Sequence, residues 1–184
     1  EAEDDILWVL TDKALVRLNR RNLSTEKFNG FDLNSKMTCG LSNDIYVVKE
    51  DNTISYYTSA KDGFKTVPVK DLVSDNVIEI FVDNSNNLWI FTDDGNHRSF
   101  AINNDGIELK LTPSHQFRHP ESLLWCFYED GLVYFVDATL TFYEYNLASK
   151  TKNYIQDVRE QVLKSGEISS IIKHKNDFFV GFAR

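Results

Sequence analysis

Asp83-Asn84-Ser85-Asn86-Asn87-Leu88-Trp89-Ile90-Phe91-Thr92-Asp93-Asp94-Gly95 is the stretch from which the rest of the chain is read. Its left flank is all Asp, Asn and Ser, residues that tolerate left-handed backbone and hydrogen-bond their own main chain, so it turns. Its centre is apolar, aromatic and β-branched over five residues, which suits a strand too short to carry a helical period. The right flank, Asp93-Asp94-Gly95, turns again. Val77–Val82 stands before the stretch, and Asn96–Ile102 and Ile107–Leu111 stand after it, the last two separated by the turn Asn103-Asn104-Asp105-Gly106. The stretch therefore reads as the second strand of a four-stranded antiparallel meander joined by hairpin turns.

The same pattern recurs. Leu7-Trp8-Val9-Leu10-Thr11-Asp12, Ile45-Tyr46-Val47-Val48, Val133-Tyr134-Phe135-Val136 and Phe178-Phe179-Val180-Gly181 repeat the order apolar, aromatic, apolar, apolar, then a polar or turn position. The aromatic anchors at 8, 46, 89, 134 and 179 are 38, 43, 45 and 45 residues apart. A period of about 40–45 residues belongs either to propeller blades or to helix-pair repeats. Val, Ile, Tyr, Phe and Thr runs bounded by turn clusters decide for strands. Only Ile155 to Lys164 reads as a short helix, and it lacks a good cap. The expected fold is all-β: a β-propeller segment of four-stranded antiparallel blades, each anchor filling the space to an adjacent blade.

Divided by the repeat, the chain is one propeller segment with a partial blade at 1–34, whole blades at 35–75, 76–120 and 121–160, and a partial blade at 161–184. It enters at a second strand and stops at the end of another second strand, so the two ends duplicate a strand instead of completing one blade. The expectation is an incomplete arc of a larger propeller. The apolar end faces would then be covered by the remaining blades of the parent protein or by a second copy.

Twenty basic against 28 acidic residues in 184 give a net charge of −8, which argues against a nucleic-acid surface. No apolar run approaches the roughly 18 residues of a membrane span, so a membrane enters only through a parent chain. The opening residues, Glu1-Ala2-Glu3-Asp4-Asp5, are the reverse of a secretory leader; an exported protein would be represented in its processed form. Cys39 and Cys126 precede their anchors by seven and eight residues, which puts them on first strands two blades apart and predicts two free thiols.

The chemistry-bearing groups are few. Asp83-Asn84-Ser85-Asn86-Asn87 has the D-x-S-x-N oxygen spacing of a calcium loop, but lacks its distal Glu and central Gly and falls where a hairpin must turn. His115 and His119 are four apart, but a metal pair at that spacing needs a helix, and Pro120 disfavours one. No metal or other cofactor is expected. Segment Ser114–Glu121 reads as a loop leaving a fourth strand, and such loops share a propeller face with the turns joining second and third strands. That rule brings His115, Arg118 and His119 beside Asp93, Asp94 and His97, with Trp125 starting the next blade. Polar hydrogen-bonders beside a flat aromatic suit sugar hydroxyls and CH faces; a solvated loop with internal His and Arg contacts is the plainer reading. No nucleophile, P-loop or metalloprotease motif is present. A spatial carboxylate pair stays open, though Glu3, Asp4, Asp5, Asp93 and Asp94 all lie in tails or turns.

Asp83 to Gly95 resembles the regulator-propeller repeat of two-component sensors, in which a first strand, an Asp and a short turn lead into Leu-Trp-Ile-Gly-Thr. Leu7-Trp8-Val9-Leu10-Thr11-Asp12-Lys13-Ala14-Leu15-Val16-Arg17-Leu18-Asn19 is similar, and Leu41-Ser42-Asn43-Asp44 and Phe178-Phe179-Val180-Gly181-Phe182-Ala183 are weaker matches. The family's Gly is Leu10 or Phe91 here, and two repeats carry Tyr for Trp. The resemblance implies the extracytoplasmic, periplasmic sensor region of a hybrid two-component protein. It would respond to an oligosaccharide released from a glycan and would not be an enzyme; the membrane helix and histidine kinase would lie elsewhere in the parent. A propeller lyase or hydrolase and a purely protein-binding propeller are the alternatives, since propellers host all three.

Overall fold

The computed structural model describes residues 5–41, 44–49, 53–57, 63–68, 76–104, 109–119, 121–175 and 177–183. Its strands form five antiparallel sheets, each built from consecutive strands. The first has three, β1 (Ile6–Leu10), β2 (Ala14–Asn19) and β3 (Thr25–Asn29). Three four-stranded sheets follow: β4 (Lys36–Cys39), β5 (Ile45–Val48), β6 (Thr53–Tyr57) and β7 (Phe64–Pro68); β8 (Val77–Val82), β9 (Asn87–Thr92), β10 (Asn96–Asn104) and β11 (Leu109–Arg118); β12 (Leu123–Glu129), β13 (Leu132–Asp137), β14 (Thr141–Asn146) and β15 (Thr151–Asp157). The last is the pair β16 (Glu167–His174) and β17 (Asp177–Ala183). The first strands of successive sheets touch, β4 against β8 and β8 against β12, as inner strands around a propeller axis do.

Strand alternation sends each sheet's apolar residues to its two neighbours. Leu88 and Ile90 face the second sheet, among Tyr46, Val48, Ile54 and Tyr56. Trp89 and Phe91 face the fourth, among Cys126, Val133, Phe135 and Tyr145. Trp8 and Leu10 face the second sheet, and Tyr134 and Val136 face the fifth, against Ile171, Phe178 and Val180. All the anchors thus point toward the following sheet. Tyr46 and Tyr134 are 1% exposed and Trp89 5%, and burying a ring of this kind contributes about 1.5–3 kcal/mol.

Phe179 departs from the expected burial. It has the anchor register, pairing with Ile172 across the last sheet, yet it is 55% exposed. Nothing among the described residues lies on that side, where Ile172 is also exposed; Leu7 and Val9 are exposed on the opposite side of the first sheet for the same reason.

Two local expectations are corrected. The fourth strand of the third sheet does not end at Leu111 but runs to Arg118, pairing His115 with Ser99 and Arg118 with Asn96. Pro113 is tolerated because β11 is an outer edge strand and the register shifts between Ser99 and Phe100, beside Pro113. Ile155 belongs to β15, and the helix, α1, is only Arg159–Ser165, with no side-chain cap at Val158.

Candidate functional site

Alternating turns divide the propeller into two faces. One carries the turns joining second and third strands and the connections between sheets. There, Leu123 N–H donates to the Asp93 carbonyl (2.8 Å) and His119 N–H to that of Gly95 (2.7 Å). The turn 93–95 and the segment leaving β11 are therefore side by side. Gly95 is required at this joint: its φ is +83°, and a Cβ would stand 2.6 Å from the His119 carbonyl oxygen. Asp93 Oδ2 accepts from Asn76 Nδ2 (3.0 Å). Asp94 Oδ1 accepts from Thr92 Oγ1 (2.6 Å) and Asn96 N–H (3.0 Å), and its other oxygen from Asn96 Nδ2.

The residues of the expected recognition surface are placed differently from the loop reading. Ser114–Arg118 is strand, not loop. His97 and His119 are each 1% exposed. His97 stacks on Phe91, with ring centroids 4.6 Å apart. His119 lies edge-on to Phe135 at 4.9 Å, and its Nε2 meets Lys152 Nζ at 3.2 Å. An ammonium has only donors, so Nε2 accepts from it; Nδ1 lies 3.1 Å from the Glu121 carbonyl oxygen and 3.2 Å from the Glu121 N–H. Burial pushes the His119 pKa below the ordinary imidazole value; the Glu121 carbonyl opposes that, Lys152 adds to it, and Asp137 and Glu121 carboxylates oppose it. Trp125 is half-buried in the seam between fourth and fifth sheets, 5.0 Å from Phe127. The side chains of His115 and Arg118 lie outside the described residues.

A cleft of about 420 Å³ opens on the other face, at the seam between third and fourth sheets. Asp83, Trp89 and Ser99 form one wall; Tyr128, Leu147 and Lys150 form the other. Asp83 is buried, and its carboxylate serves its own turn. Oδ1 accepts from Ser85 N–H (2.9 Å) and Asn87 N–H (2.8 Å), Oδ2 from Trp89 Nε1 (2.8 Å) and Asn87 Nδ2 (3.0 Å). This is the hairpin turn foreseen for the segment, and it spends the oxygens that a calcium ion would need. Tyr128 lies flat on Phe81, centroids 4.3 Å apart and planes 2° off parallel. Its hydroxyl is buried without a hydrogen-bond partner among the described residues.

The fourth sheet's wall follows from turn chemistry. Asp130 and Gly131 both have positive φ, the type I′ geometry that closes a two-residue hairpin between β12 and β13. Asn146 Oδ1 caps the next turn by accepting from Ala148 and Ser149 N–H groups (3.0 and 2.9 Å); Lys150, with φ +58°, ends that turn. Asn19 does the same in the first sheet for Arg21 and Asn22. The rule that places turns on alternate faces puts 83–87, 130–131 and 147–150 together, so this cleft had a signal in the sequence. Tyr128 and Lys150 had none of their own.

One further titratable group is internal. Burial raises the Glu79 pKa on the inner strand β8, while the Ile80 N–H (2.9 Å) and the nearby Lys36 lower it. Cys126 is buried and Cys39 exposed, and both are free thiols, as their placement on β12 and β4 required.

No family model matches the chain, and no curated protein matches it. Solved structures do. The extracellular domain of the one-component system BT4673 from B. thetaiotaomicron superposes with a TM-score of 0.66 at 12% identity, over 97% of this chain and 27% of that one. A structure of that extracellular domain described as a hybrid two-component system gives 0.62 at 12% identity, over 97% of this chain and 24% of the other. YCF48 bound to D1 peptide gives 0.65 at 13% identity, over 96% of this chain and 57% of that one. The likeness is one of fold, a β-propeller. The chain spans about a quarter to somewhat over half of these structures' length, and they include the extracellular region of the kind of sensor its repeat resembles.

Proposed function

We propose that this chain is the ligand-sensing extracytoplasmic propeller portion of a hybrid two-component sensor and that it binds an oligosaccharide derived from a glycan, without catalysing its cleavage. Two likenesses support the sensor reading: the repeat around Trp89 and the propeller fold shared with the BT4673 extracellular domain. The observation that carries binding is the cleft between third and fourth sheets. Its volume falls in the roughly 300–1,000 Å³ range of small-ligand sites, and it mixes a few polar groups with an apolar wall. Asp83 is the one carboxylate lining it among the described residues, and glycoside hydrolysis ordinarily calls for two. Trp89, 5% exposed, forms wall and not stacking platform, so the sugar's apolar contact falls to Leu147 and Ala148. The other face is the weaker candidate, because its two histidines are committed to internal packing.

Calorimetric titration of the full chain with a panel of glycan-derived oligosaccharides tests this. Saturable binding of one of them, abolished by Ala148→Trp in the cleft and retained in Asp94→Asn on the other face, is expected. Binding that survives Ala148→Trp would move the site. A peptide-binding propeller is the second reading, favoured by the fold shared with YCF48 bound to D1 peptide; it predicts saturation by peptides and none by sugars.

A further inference from the structure

We propose that copies of this chain join head to tail, with Phe179 of one copy seated against Leu7 and Val9 of the next. The inference comes from a rule that all four internal seams obey. Trp8 of the first sheet packs with Ile45 and Val47, and Tyr46 of the second with Leu88 and Ile90. Trp89 of the third packs with Val133 and Phe135, and Tyr134 of the fourth with Phe178 and Val180. Each anchor thus enters the next sheet beside the two residues that flank that sheet's own anchor.

At the two ends the rule leaves one anchor without a flanking pair and one flanking pair without an anchor. Phe179 pairs across its sheet with Ile172, as Trp89 pairs with Phe81, and both are exposed, by 55% and 63%. Leu7 and Val9 flank Trp8 and are exposed by 48% and 40% on the side of the first sheet turned away from the second. One open face is therefore the projecting half of a seam, and the other is the receiving half. Both stand uncovered among the described residues, so they do not meet within one chain, and a second copy supplies the match. An aromatic ring set against apolar side chains is the kind of anchor that carries most of an interface's energy. The contact is heterologous, because the surface offered differs from the surface received, so addition can continue at both ends. Two copies bring twice the five sheets of one, beyond the roughly four to eight with which propellers close, so joined arcs stay open. The net charge of −8 on every copy opposes the contact, and salt weakens that repulsion.

Sedimentation velocity of the full chain, from micromolar to near-millimolar concentration and at low and high salt, tests this. Species larger than one chain should grow with concentration and with salt. Phe179→Glu removes the projecting half and Val9→Glu the receiving half, so each variant alone should stay monomeric while still unfolding cooperatively. Mixed in equal amounts, the two should form a species of two chains and nothing larger, since each keeps the half that the other has lost. A face that pairs with its own kind would instead leave one variant self-associating. Should a variant fail to fold, Ile172→Glu and Leu7→Glu repeat the experiment on the same two faces. A variant that associates alone, or a mixture that stays monomeric, overturns the proposal. A wild-type chain that is monomeric throughout overturns it too, and leaves the two faces to further blades of a longer chain.

Discussion

On one face of the third and fourth sheets, Asp93, Gly95 and His119 are tied together by main-chain hydrogen bonds between the turn 93–95 and the connection 119–123. On the other face, Asp83, Tyr128 and Lys150 stand around a cleft. Both faces are made of polar turn residues. They differ in what those residues are bonded to. On the first face Asp93, Asp94 and Asn76 are bonded within the turns of the third sheet, and His119 reaches Lys152 of the fourth, so a histidine there is framework. On the second, the turns of neighbouring sheets stand apart, and a hydroxyl and an ammonium remain without such partners among the described residues. A polar segment becomes a site where adjacent blades fail to close on each other, not where the sequence is most polar.

The largest expected effect comes from the wall shared by the cleft and the seam. Trp89→Ala removes a buried ring and the donor that satisfies Asp83, and should cost about 3–5 kcal/mol in chemical denaturation. Phe179→Ala, at the same register on an uncovered sheet, should fall within about 0.5 kcal/mol. Equal costs would mean that burial at the seams does not stabilise the arc.

Gly95→Ala addresses the closed face directly. A Cβ there meets two carbonyl oxygens, of His119 and Glu121, in a backbone region that suits glycine, so about 2–3 kcal/mol should be lost. Gly131→Ala, with open space around it, should cost visibly less. A reversed order would show that the joint at 95 is loose.

His119 adds a pH dependence. Its folded-state pKa lies below the ordinary value of 6.5. As pH falls below about 6.5 the unfolded chain takes up the proton first, so stability drops until the folded ring protonates too. Urea unfolding at pH 7.5 and 5.5 should show this loss, and His119→Gln should reduce it. An unchanged loss in the variant would place the titration elsewhere.

The smallest effect separates the faces most sharply. Tyr128→Phe removes a hydroxyl without a partner among the described residues and keeps the ring contact, so stability should stay within about 1 kcal/mol and shift upward if at all. A clear loss would mean the hydroxyl is already bonded within the fold.

Much of the architecture was legible before any coordinates. The anchors at Trp8, Tyr46, Trp89 and Tyr134, the turn at Asp83 and the free cysteines follow from period and spacing. Strand alternation and turn preference are properties of a few adjacent residues, so a single repeat carries them. The end of the fourth strand was not legible, because 112–118 pairs with β10 as an outer edge strand across a register shift that no local pattern marks. Segment 114–118 was accordingly read as loop, and its neighbours His97 and His119 as surface.

What the sequence by itself determined is the direction of each side chain within its own sheet. Phe179 points as Trp89 does, and that much follows from alternation with period two. Only the tertiary structure decided what each side chain meets there. Trp89 meets the fourth sheet and Phe179 meets none among the described residues; His119 meets Lys152, and Lys150 faces an open cleft. Burial and pairing are set by residues one repeat away, across a seam whose closure depends on the fit of two whole sheets, and no local window contains both.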